Sequence, residues 1–360
     1  MAKNKILYIV ATQYDNLGDF LINKCLIDAI SNHGEVYLDL KNVPKEFGDL
    51  LLDGDNIYPL SSISKVSVKG KGLVVLPFTK ALNFTHVFKS PGPFGGAKTL
   101  NEKLRYIIFY YLFYVFKMKG AKSYLIGNDL IIRSFFDEKI FKRFSKVLEG
   151  MYVRSKSNLA QFIKLKIPVE YSPDLCFLLK PEILKNGDDR NKIGISFRNL
   201  NDKALDKKIK ESINILIEFN TNKNVSIEFF CQVGRDKNYT YSLFEPYKNL
   251  KNISFRDEVL SWQDRNYYND FKMVMSNRLH VLLLAQTFNA LPLGIIDQNH
   301  KTLKIQTVFE SVGLGDLIVP FLSKEILMTY YNEYFIILQR VRNANDKQHF
   351  ILKEILNSIL

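Results

Sequence analysis

The stretch Met273–Phe288, MVMSNRLHVLLLAQTF, combines the two elements that decide the fold class. Its first residues form a short apolar run of the kind that makes a buried strand. The residues that follow are apolar on nearly every side of a helix, which predicts that the helix is buried. Short apolar runs alternate with helical-period segments along the rest of the chain as well. This alternation predicts parallel sheets covered by helices, the doubly wound α/β class.

The length of 360 residues predicts two domains, because a domain usually has about 100–200 residues. Apolar runs predict strands at 5–11, 35–40, 72–77, 123–128, 151–154, 192–197, 226–231, 272–276 and 290–297. A helical face predicts a helix over Phe20–Asn32, and the polar stretch Leu184–Asn191 is the candidate linker. We expect domains at 1–183 and 192–323, and a helical segment at 324–360 that packs back on the first domain.

The charge and the cysteines exclude several classes of protein. A net charge of +13 favours anionic ligands, but the lysines are spread along the chain without a zinc-finger or RNA-binding motif, so we expect no nucleic acid partner. Cys25, Cys176 and Cys231 are an odd, scattered set, which argues against a disulfide framework and a zinc site. The N-terminus lacks the features of a signal peptide, so we expect a cytoplasmic protein. We also expect a protein that needs no metal.

The segment Tyr106–Phe116, YIIFYYLFYVF, is apolar or aromatic throughout and has basic residues on both sides. It is too short to cross a bilayer, which needs about 20 residues. One interpretation is a helix buried between a sheet and its neighbour. The other is a helix in the membrane interface, with aromatic rings at headgroup depth and lysines on anionic lipid. The second interpretation would hold the protein at the inner face of the cell membrane.

Two candidate binding segments lie in the first half of the chain. The loop after the first strand holds Asn16, Gly18 and Asp19 and leads into a helix N-terminus, where free N–H groups favour an anion. Either Asn16 or Asp19 also suits the helix cap. Gly95 and Gly96 begin a helical segment and suit either a phosphate cradle or a plain turn.

Charged side chains follow further predicted strands. Arg154 comes directly after a strand, Ser157 lies close behind it and also suits a helix cap, and Asp174 follows the next strand. Arg278 and His280 lie in the first turn of the buried helix. A guanidinium there fits a carboxylate or phosphate, and a histidine suits a neutral base or donor. The alternative for His280 is a structural histidine bonded to a backbone carbonyl.

Taken in order, these motifs resemble the polysaccharide pyruvyl transferase family. The matching residues, within about 5–315, are Asn16, Gly18, Asp19, Gly95, Gly96, Val153, Arg154, Ser157, Pro173, Asp174, Arg278, Leu279, His280 and Lys304. The chain departs from the family pattern at Gly127-Asn128-Asp129-Leu130. It departs again near Lys304, where Lys301 competes for the same role.

The resemblance implies a fold like that of GT-B glycosyltransferases, with two Rossmann-like domains that face a cleft. It implies transfer of the pyruvate unit of phosphoenolpyruvate to two hydroxyls of a sugar, as a cyclic ketal, in capsule or exopolysaccharide synthesis. Phosphoenolpyruvate is then a co-substrate, no further cofactor is needed, and the acceptor is a lipid-linked sugar. The first domain would be the acceptor side and the second domain the donor side.

The resemblance also implies roles for individual residues. His280, Arg278 and Arg154 would be catalytic, with His280 moving protons and the arginines holding the donor anions. The residues expected to bind substrate are Asn16, Gly18, Asp19, Gly95, Gly96, Ser157, Asp174, Asn277 and Lys304. Two alternatives stay open. One is a glycosyltransferase with a nucleotide-sugar donor, for which Asp297 is the candidate ribose ligand, and the other is a binding protein of the same fold without catalysis.

Overall fold

The computed structural model describes residues 4–69, 79, 82–179, 181, 190–221, 223, 225–297 and 303–360. Contacts between Cα atoms divide the chain into two units. Unit 1 comprises Met1–Tyr14, Asp19–Leu178 and Ile351–Leu360, and unit 2 comprises Asp15–Gly18 and Leu179–Phe350. The predicted linker lies at this division, and its residues 184–189 lie outside the described residues.

Unit 1 is built on a sheet whose described strands are all parallel. The strands are β1 Asn4–Ile9, β2 Gly34–Asp39, β3 Ile57–Pro59, β4 His86–Lys89, β5 Gly92–Gly95, β6 Lys122–Ile131, β7 Gly150–Val153 and β8 Glu170–Tyr171. Their order is β3-β2-β1-β4-β6-β7-β8, and β5 also pairs with β6. The helices are α1 Leu17–Ser31, α2 Lys45–Leu52, α3 Leu100–Met118, α4 Phe135–Val147 and α5 Lys156–Lys164.

Unit 2 has a second parallel sheet with the order β11-β10-β9-β12-β13-β14. Its strands are β9 Lys192–Ser196, β10 Ser226–Phe229, β11 Ile253–Phe255, β12 Phe271–Ser276, β13 Leu291–Ile295 and β14 Ile318–Val319. Its helices are α6 Lys203–Asn220, α7 Lys237–Phe244, α8 Leu279–Thr287, α9 Leu303–Val312, α10 Lys324–Asn332 and most of α11 Tyr334–Ile359. Short 3₁₀ segments lie at Leu60–Ser62 and Leu175–Leu178 in unit 1 and at Gly234–Asp236, Glu245–Tyr247 and Gly315–Leu317 in unit 2, where Trp262–Asp270 is a longer one of nine residues.

These parallel sheets confirm the predicted α/β class. The predicted strands match β1, β2, β6, β7, β9, β10, β12 and β13, and the predicted strand at 72–77 lies outside the described residues. The pattern misses β4, because the polar residues His86 and Lys89 at its ends leave only two apolar residues between them. All four residues of this strand are nevertheless buried. It also misses short strands such as β8 and β14, which have two residues each.

The stretch Met273–Phe288 forms the strand and the buried helix that its pattern predicts. β12 pairs with β9 and β13 on its two sides. Every residue of α8 except His280 is buried, because the helix is apolar nearly all round. The final helix α11 begins in unit 2, and its last residues belong to unit 1, where Asn4 Nδ2 donates to the carbonyl of Leu360 at 2.9 Å.

The aromatic segment Tyr106–Phe116 lies in α3, and the two faces of this helix differ. Leu112, Phe113 and Phe116 are buried in the core of unit 1. Tyr111 and Tyr114, by contrast, are more than 40% exposed. The buried interpretation therefore holds for one face of the helix. Among the described residues, no helix has the length and apolar character needed to cross a bilayer.

The buried face of α3 predicts a difference in stability between two neighbouring substitutions. Phe113→Ala should lower the free energy of unfolding by about 3–5 kcal/mol, because Phe113 is fully buried among Phe109 and Phe144. Tyr111→Ala, on the exposed side, should change it by less than about 1 kcal/mol. Urea unfolding of both variants measures the difference, and equal losses would contradict this division of the helix.

Candidate functional site

The strand order of unit 2 reverses between β9 and β12, and ligands of doubly wound sheets bind at the carboxyl ends of strands at such a point. Arg198 follows β9 and Asn277 follows β12. Asn277 is 1% exposed, and its side chain donates to the carbonyl of Arg198 at 3.0 Å and accepts from its N–H at 2.9 Å. Asn277 therefore fixes the backbone of Arg198, and its predicted contact with substrate stays a prediction.

Three arginines and one aspartate meet at this edge. The guanidinium of Arg278 donates to the carboxylate of Asp236, which is buried. The charges of Arg278, Asp236 and Arg235 all act on Arg198. The charges that act on one another here thus include three guanidinium groups and one carboxylate, so the cluster keeps an excess of positive charge.

Arg198 has no hydrogen-bond partner for its guanidinium in the part of the chain that the structure describes. Its Nε is buried without a partner, as is the Nε of Arg278. Burial, followed by the charge of Arg278, lowers the pKa of Arg198. Because an arginine stays charged in proteins, an anionic ligand is the kind of acceptor that suits these donors.

The loop before α1 joins the same unit. Asn16 forms an antiparallel bridge with Val233, three residues before Asp236. The Oδ1 of Asn16 accepts from the N–H of Gly18 at 3.0 Å, as a helix cap does, so Asn16 fulfils the predicted capping role. Asp19 follows in the first turn of α1. The predicted loop and the Arg278 segment are therefore brought together within unit 2.

Gly18 packs directly on His280. A Cβ atom at Gly18 would lie 2.3 Å from Nδ1 of the imidazole and 2.6 Å from its Cγ, which no side chain tolerates. Glycine at position 18 therefore allows the backbone to lie against the ring. His280 is half-buried in the first turn of α8, among the N–H groups that begin the helix. This close contact restricts the position of the imidazole in the first turn of α8.

Arg154 belongs to a different network, in unit 1. Its Nε donates to Asp129 at 2.9 Å, one terminal nitrogen donates to Asp174 at 2.9 Å, and the other donates to Asp129 as well. Burial opposes the charged form, but the carboxylates of Asp129 and Asp174 raise the pKa of Arg154. Arg154 is 2% exposed, so these contacts favour a role in joining the ends of β6 and β7. The predicted roles of Arg154 and Asp174 toward substrate stay predictions.

The departure from the family pattern at Gly127–Asp129 coincides with an irregularity of the sheet. The register between β6 and β7 shifts between Leu125 and Asn128, and Gly127 has a φ of 70°. Asn128 is fully buried and donates to the carbonyl of Gly92 at 3.0 Å. The shift turns Asp129 toward Arg154, so the residue that replaces the family's pattern supplies the partner of this arginine.

The contacts of the glycine-rich turn favour a plain turn. The hydroxyl of Tyr106 accepts from the N–H of Gly95 at 3.0 Å and donates to its carbonyl. A Cβ at Gly95 would lie 2.4 Å from the carbonyl of Ile131, and a Cβ at Gly96 would lie 2.7 Å from the Ile131 side chain. Both glycines are therefore required for close packing. Their predicted contact with a phosphate stays a prediction.

The remaining predicted residues are Ser157, Lys304, Lys301 and Asp297. Ser155, and not Ser157, caps α5 by accepting from the N–H of Asn158, so the capping interpretation of Ser157 is wrong. Ser157 itself is exposed. Lys304 is exposed in the first turn of α9, and Lys301 lies outside the described residues. Asp297 lies 3.7 Å from Lys208.

A family model described as polysaccharide pyruvyl transferase matches residues 16–290, more than half of the chain. The chain belongs to the polysaccharide pyruvyl transferase family. The match begins at Asn16 and includes Arg278 and His280, so it covers the residues that meet in unit 2. The predicted resemblance is confirmed. The family name implies a transferase with a pyruvyl donor and a sugar or polysaccharide acceptor.

Solved structures confirm the GT-B-like fold of this pyruvyl transferase family member. A UDP-GlcNAc 2-epimerase from Neisseria meningitidis, bound to UDP-GlcNAc, is 12% identical with a TM-score of 0.62, and the match covers 99% of each chain. Anabaena Alr3699/HepE in complex with UDP-glucose is 10% identical with a TM-score of 0.57, covering 98% of this chain and 97% of that one. A putative UDP-N-acetylglucosamine 2-epimerase from Listeria monocytogenes has the same identity and TM-score, with 97% and 91% covered. No curated protein sequence matches the chain.

Sequence reasoning misses Arg198, Arg235 and Asp236 of this site. Arg198 carries a signal that could have revealed it, because it follows a predicted strand directly. Asp236 carries none, because six residues separate it from β10 and only the folded chain brings it to Arg278. The described residues contain no group of three or more His, Cys, Asp or Glu side chains placed to hold a metal ion, and the three cysteines are buried and form no disulfide with one another.

Unit 1 has its own polar features at the carboxyl edge of its sheet. Between β1 and β4, Asn23 accepts from the hydroxyls of Tyr8 at 2.7 Å and Ser90 at 2.6 Å, all three being buried. A cavity of about 290 Å³ lies farther along, at the ends of β2 and β3, where its polar residues include Lys41 and Lys65. The hydrogen bonds of Asn23 with Tyr8 and Ser90 thus fill the point where the strand order of this sheet reverses. The cavity is a concave site at the same edge.

Lys89 is an ionisable group buried at this edge. Its Nζ donates to the carbonyl of Ser90 at 3.1 Å and lies over the rings of Phe94 and Phe109, at 4.9 and 5.7 Å from their centroids. Burial, assisted by the charge of Arg105, lowers the pKa of Lys89 to about 7. The folded protein therefore releases this proton at a lower pH than the unfolded chain does.

Lys89 predicts a pH dependence of stability. Between about pH 7 and the ordinary lysine pKa of 10.5 the unfolded chain binds more protons than the folded one, so the stability of the wild type rises with pH. Lys89→Met lacks this dependence. Its stability relative to the wild type should therefore fall by roughly 3 kcal/mol between pH 7 and pH 10. Urea unfolding at both pH values measures the gap, with the exposed Lys98→Met as the charge control, and a constant gap would contradict the prediction.

Proposed function

We propose that the protein transfers the pyruvate unit of phosphoenolpyruvate to two hydroxyls of a sugar and forms a cyclic ketal. The observation that carries the proposal is the excess of guanidinium groups around Asp236. Family membership supports the reaction class. The unpaired donors of Arg198 and Arg278 support an anionic donor at this edge.

The chemistry of the donor matches this edge. Phosphoenolpyruvate carries a carboxylate and a phosphate on the same carbon, C2, and a planar guanidinium binds either group through two parallel hydrogen bonds. Arg198 and Arg278 flank the reversal point of the sheet, one after β9 and the other at the start of α8. Asp236 holds Arg278 in place while leaving its Nε unpaired. Two anionic groups of one small ligand would thus offset the excess charge.

The reaction requires proton transfer as well as anion binding. One sugar hydroxyl adds to C2 of the donor and loses its proton while C3 takes one, and the carbon–oxygen bond to phosphate then breaks. The second hydroxyl closes the ketal on C2, and its proton leaves with the released phosphate. His280 is the residue that we assign to moving these protons, because it lies two residues after Arg278 in the first turn of α8 and its ring packs against the backbone of Gly18.

We further propose that the acceptor is a lipid-linked sugar and that unit 1 holds it. The cavity at the ends of β2 and β3 supports this assignment, because its size suits a sugar and its lysines suit a diphosphate. Lipid-linked sugars for capsule or exopolysaccharide synthesis are made at the cytoplasmic face of the membrane, which is the location that we propose for the protein.

The test is turnover of phosphoenolpyruvate with a panel of galactosyl, glucosyl and N-acetylmannosaminyl lipid acceptors. Phosphate release together with an acceptor of increased mass is expected. Arg198→Met should lower kcat/KM for the donor at least about 30-fold, because a desolvated partner of a charged ligand is lost. Arg340→Met, which removes a surface pair with Asp316 in the same unit, is the matched control.

Two outcomes would contradict the proposal. Turnover of a nucleotide sugar, with no phosphate released from phosphoenolpyruvate, would identify a glycosyltransferase instead. Equal kcat/KM values for the wild type and Arg198→Met would show that the arginine cluster does not bind the donor.

A further inference from the structure

Helix α3 presents a long apolar surface. Leu100, Leu104, Ile107, Tyr111, Tyr114 and Met118 follow one another at intervals of three or four residues and therefore share one face. We name these six residues the α3 stripe. Their exposed fractions range from 43% to 81%, and a helix of 19 residues extends about 28 Å. A continuous exposed apolar surface of this length is typical of an interaction site.

The stripe is held rigidly. The opposite face of α3 is anchored in the core of unit 1 by Leu112, Phe113 and Phe116. A capping box at Thr99 and Glu102 fixes the beginning of the helix. No segment therefore needs to fold before the stripe engages a partner, which lowers the entropic cost of binding.

Basic residues surround the stripe on two helices. The cations of α3 and α4 are Lys103, Arg105, Lys117, Lys139, Lys142, Arg143 and Lys146, and the acids are Glu102, Asp137 and Glu138. The two helices adjoin along their length, since Lys117 Nζ donates to the carbonyl of Lys146 at 2.6 Å and Lys103 Nζ lies 5.7 Å from the ring centroid of Phe136. Asp137 is buried, so the exposed surface carries a clear excess of positive charge.

We propose that the α3 stripe docks on the surface of a membrane that contains anionic phospholipid. The aliphatic residues would enter the boundary between headgroups and acyl chains, and Tyr111 and Tyr114 suit the headgroup level. The cations would contribute about 1 kcal/mol each near such a surface. Phe135 on α4 extends the apolar surface, being 67% exposed with Lys139 Nζ 4.3 Å from its ring centroid.

The charge distribution favours lipid over a second copy of the chain. A two-fold contact places the same patch on both copies. The excess of lysine and arginine on α3 and α4 would then face itself across the interface, which raises the cost of association. An anionic bilayer offers the opposite charge to the whole patch at once.

The stripe is separate from the proposed reaction, because none of its residues belongs to the arginine cluster of unit 2 or to the cavity of unit 1. Loss of membrane binding and loss of turnover are therefore measured independently, the second with a short-chain soluble acceptor.

The experiment is flotation of the full chain with vesicles of phosphatidylcholine, with and without phosphatidylglycerol. Binding is expected only with the anionic lipid. It should weaken as the salt concentration rises from about 0.05 M to about 0.5 M, because the contribution of the basic residues is screened. The double variant Leu104→Glu, Tyr111→Glu should reduce the bound fraction about tenfold or more. Both positions are more than 40% exposed, so the fold should persist.

The matched control is the double variant Ile336→Glu, Phe350→Glu on α11, whose side chains are 65% and 62% exposed. It adds the same charge and removes similar apolar surface, and it should float like the wild type. Circular dichroism checks that each variant is folded. A folded wild type that does not float at low salt with anionic lipid would overturn the proposal. A dimer in ultracentrifugation that the α3 variant abolishes, without vesicle binding by the wild type, would identify a second copy as the partner instead.

Discussion

Asp236 is the carboxylate that balances the arginines at the carboxyl edge of the second sheet, and it balances them incompletely. Arg278 donates to its carboxylate. Arg198 is repelled by the charges of Arg278 and Arg235 and attracted by the charge of Asp236. A buried or half-buried guanidinium without a partner is costly, so this edge is stabilised by whatever anion enters it. This preference for an anion is a property of the folded unit 2 and does not depend on which reaction the protein catalyses.

The other contacts at this edge keep the cluster in place. Asn277 joins the ends of β9 and β12 through two hydrogen bonds to the backbone of Arg198. Asn16 bridges to Val233 beside Asp236, and Gly18 lies against the ring of His280. Segments that are more than 200 residues apart in the sequence are thus fixed around one charged group. Residues that match the family pattern act here through packing and hydrogen bonds within the chain.

The sequence predicts the α/β class and most long strands, because an apolar run or a 3.6-residue period is a local signal. It also identifies Arg278, His280, Asn16 and Gly18, which the structure brings together. It fails where the cause is not local. Asp129 becomes the partner of Arg154 through a register shift at Gly127, and Asp236 reaches Arg278 through the turn after β10. The glycine pair at positions 95 and 96 resembles a phosphate loop, yet the N–H and carbonyl of Gly95 are occupied by Tyr106.

The most direct measurement is a crystal structure of the full chain soaked with phosphoenolpyruvate. The account predicts the carboxylate or the phosphate of the donor within hydrogen-bond distance of the guanidinium groups of Arg198 and Arg278, with the methylene carbon facing His280. The donor bound elsewhere, with these two arginines unoccupied, would contradict it.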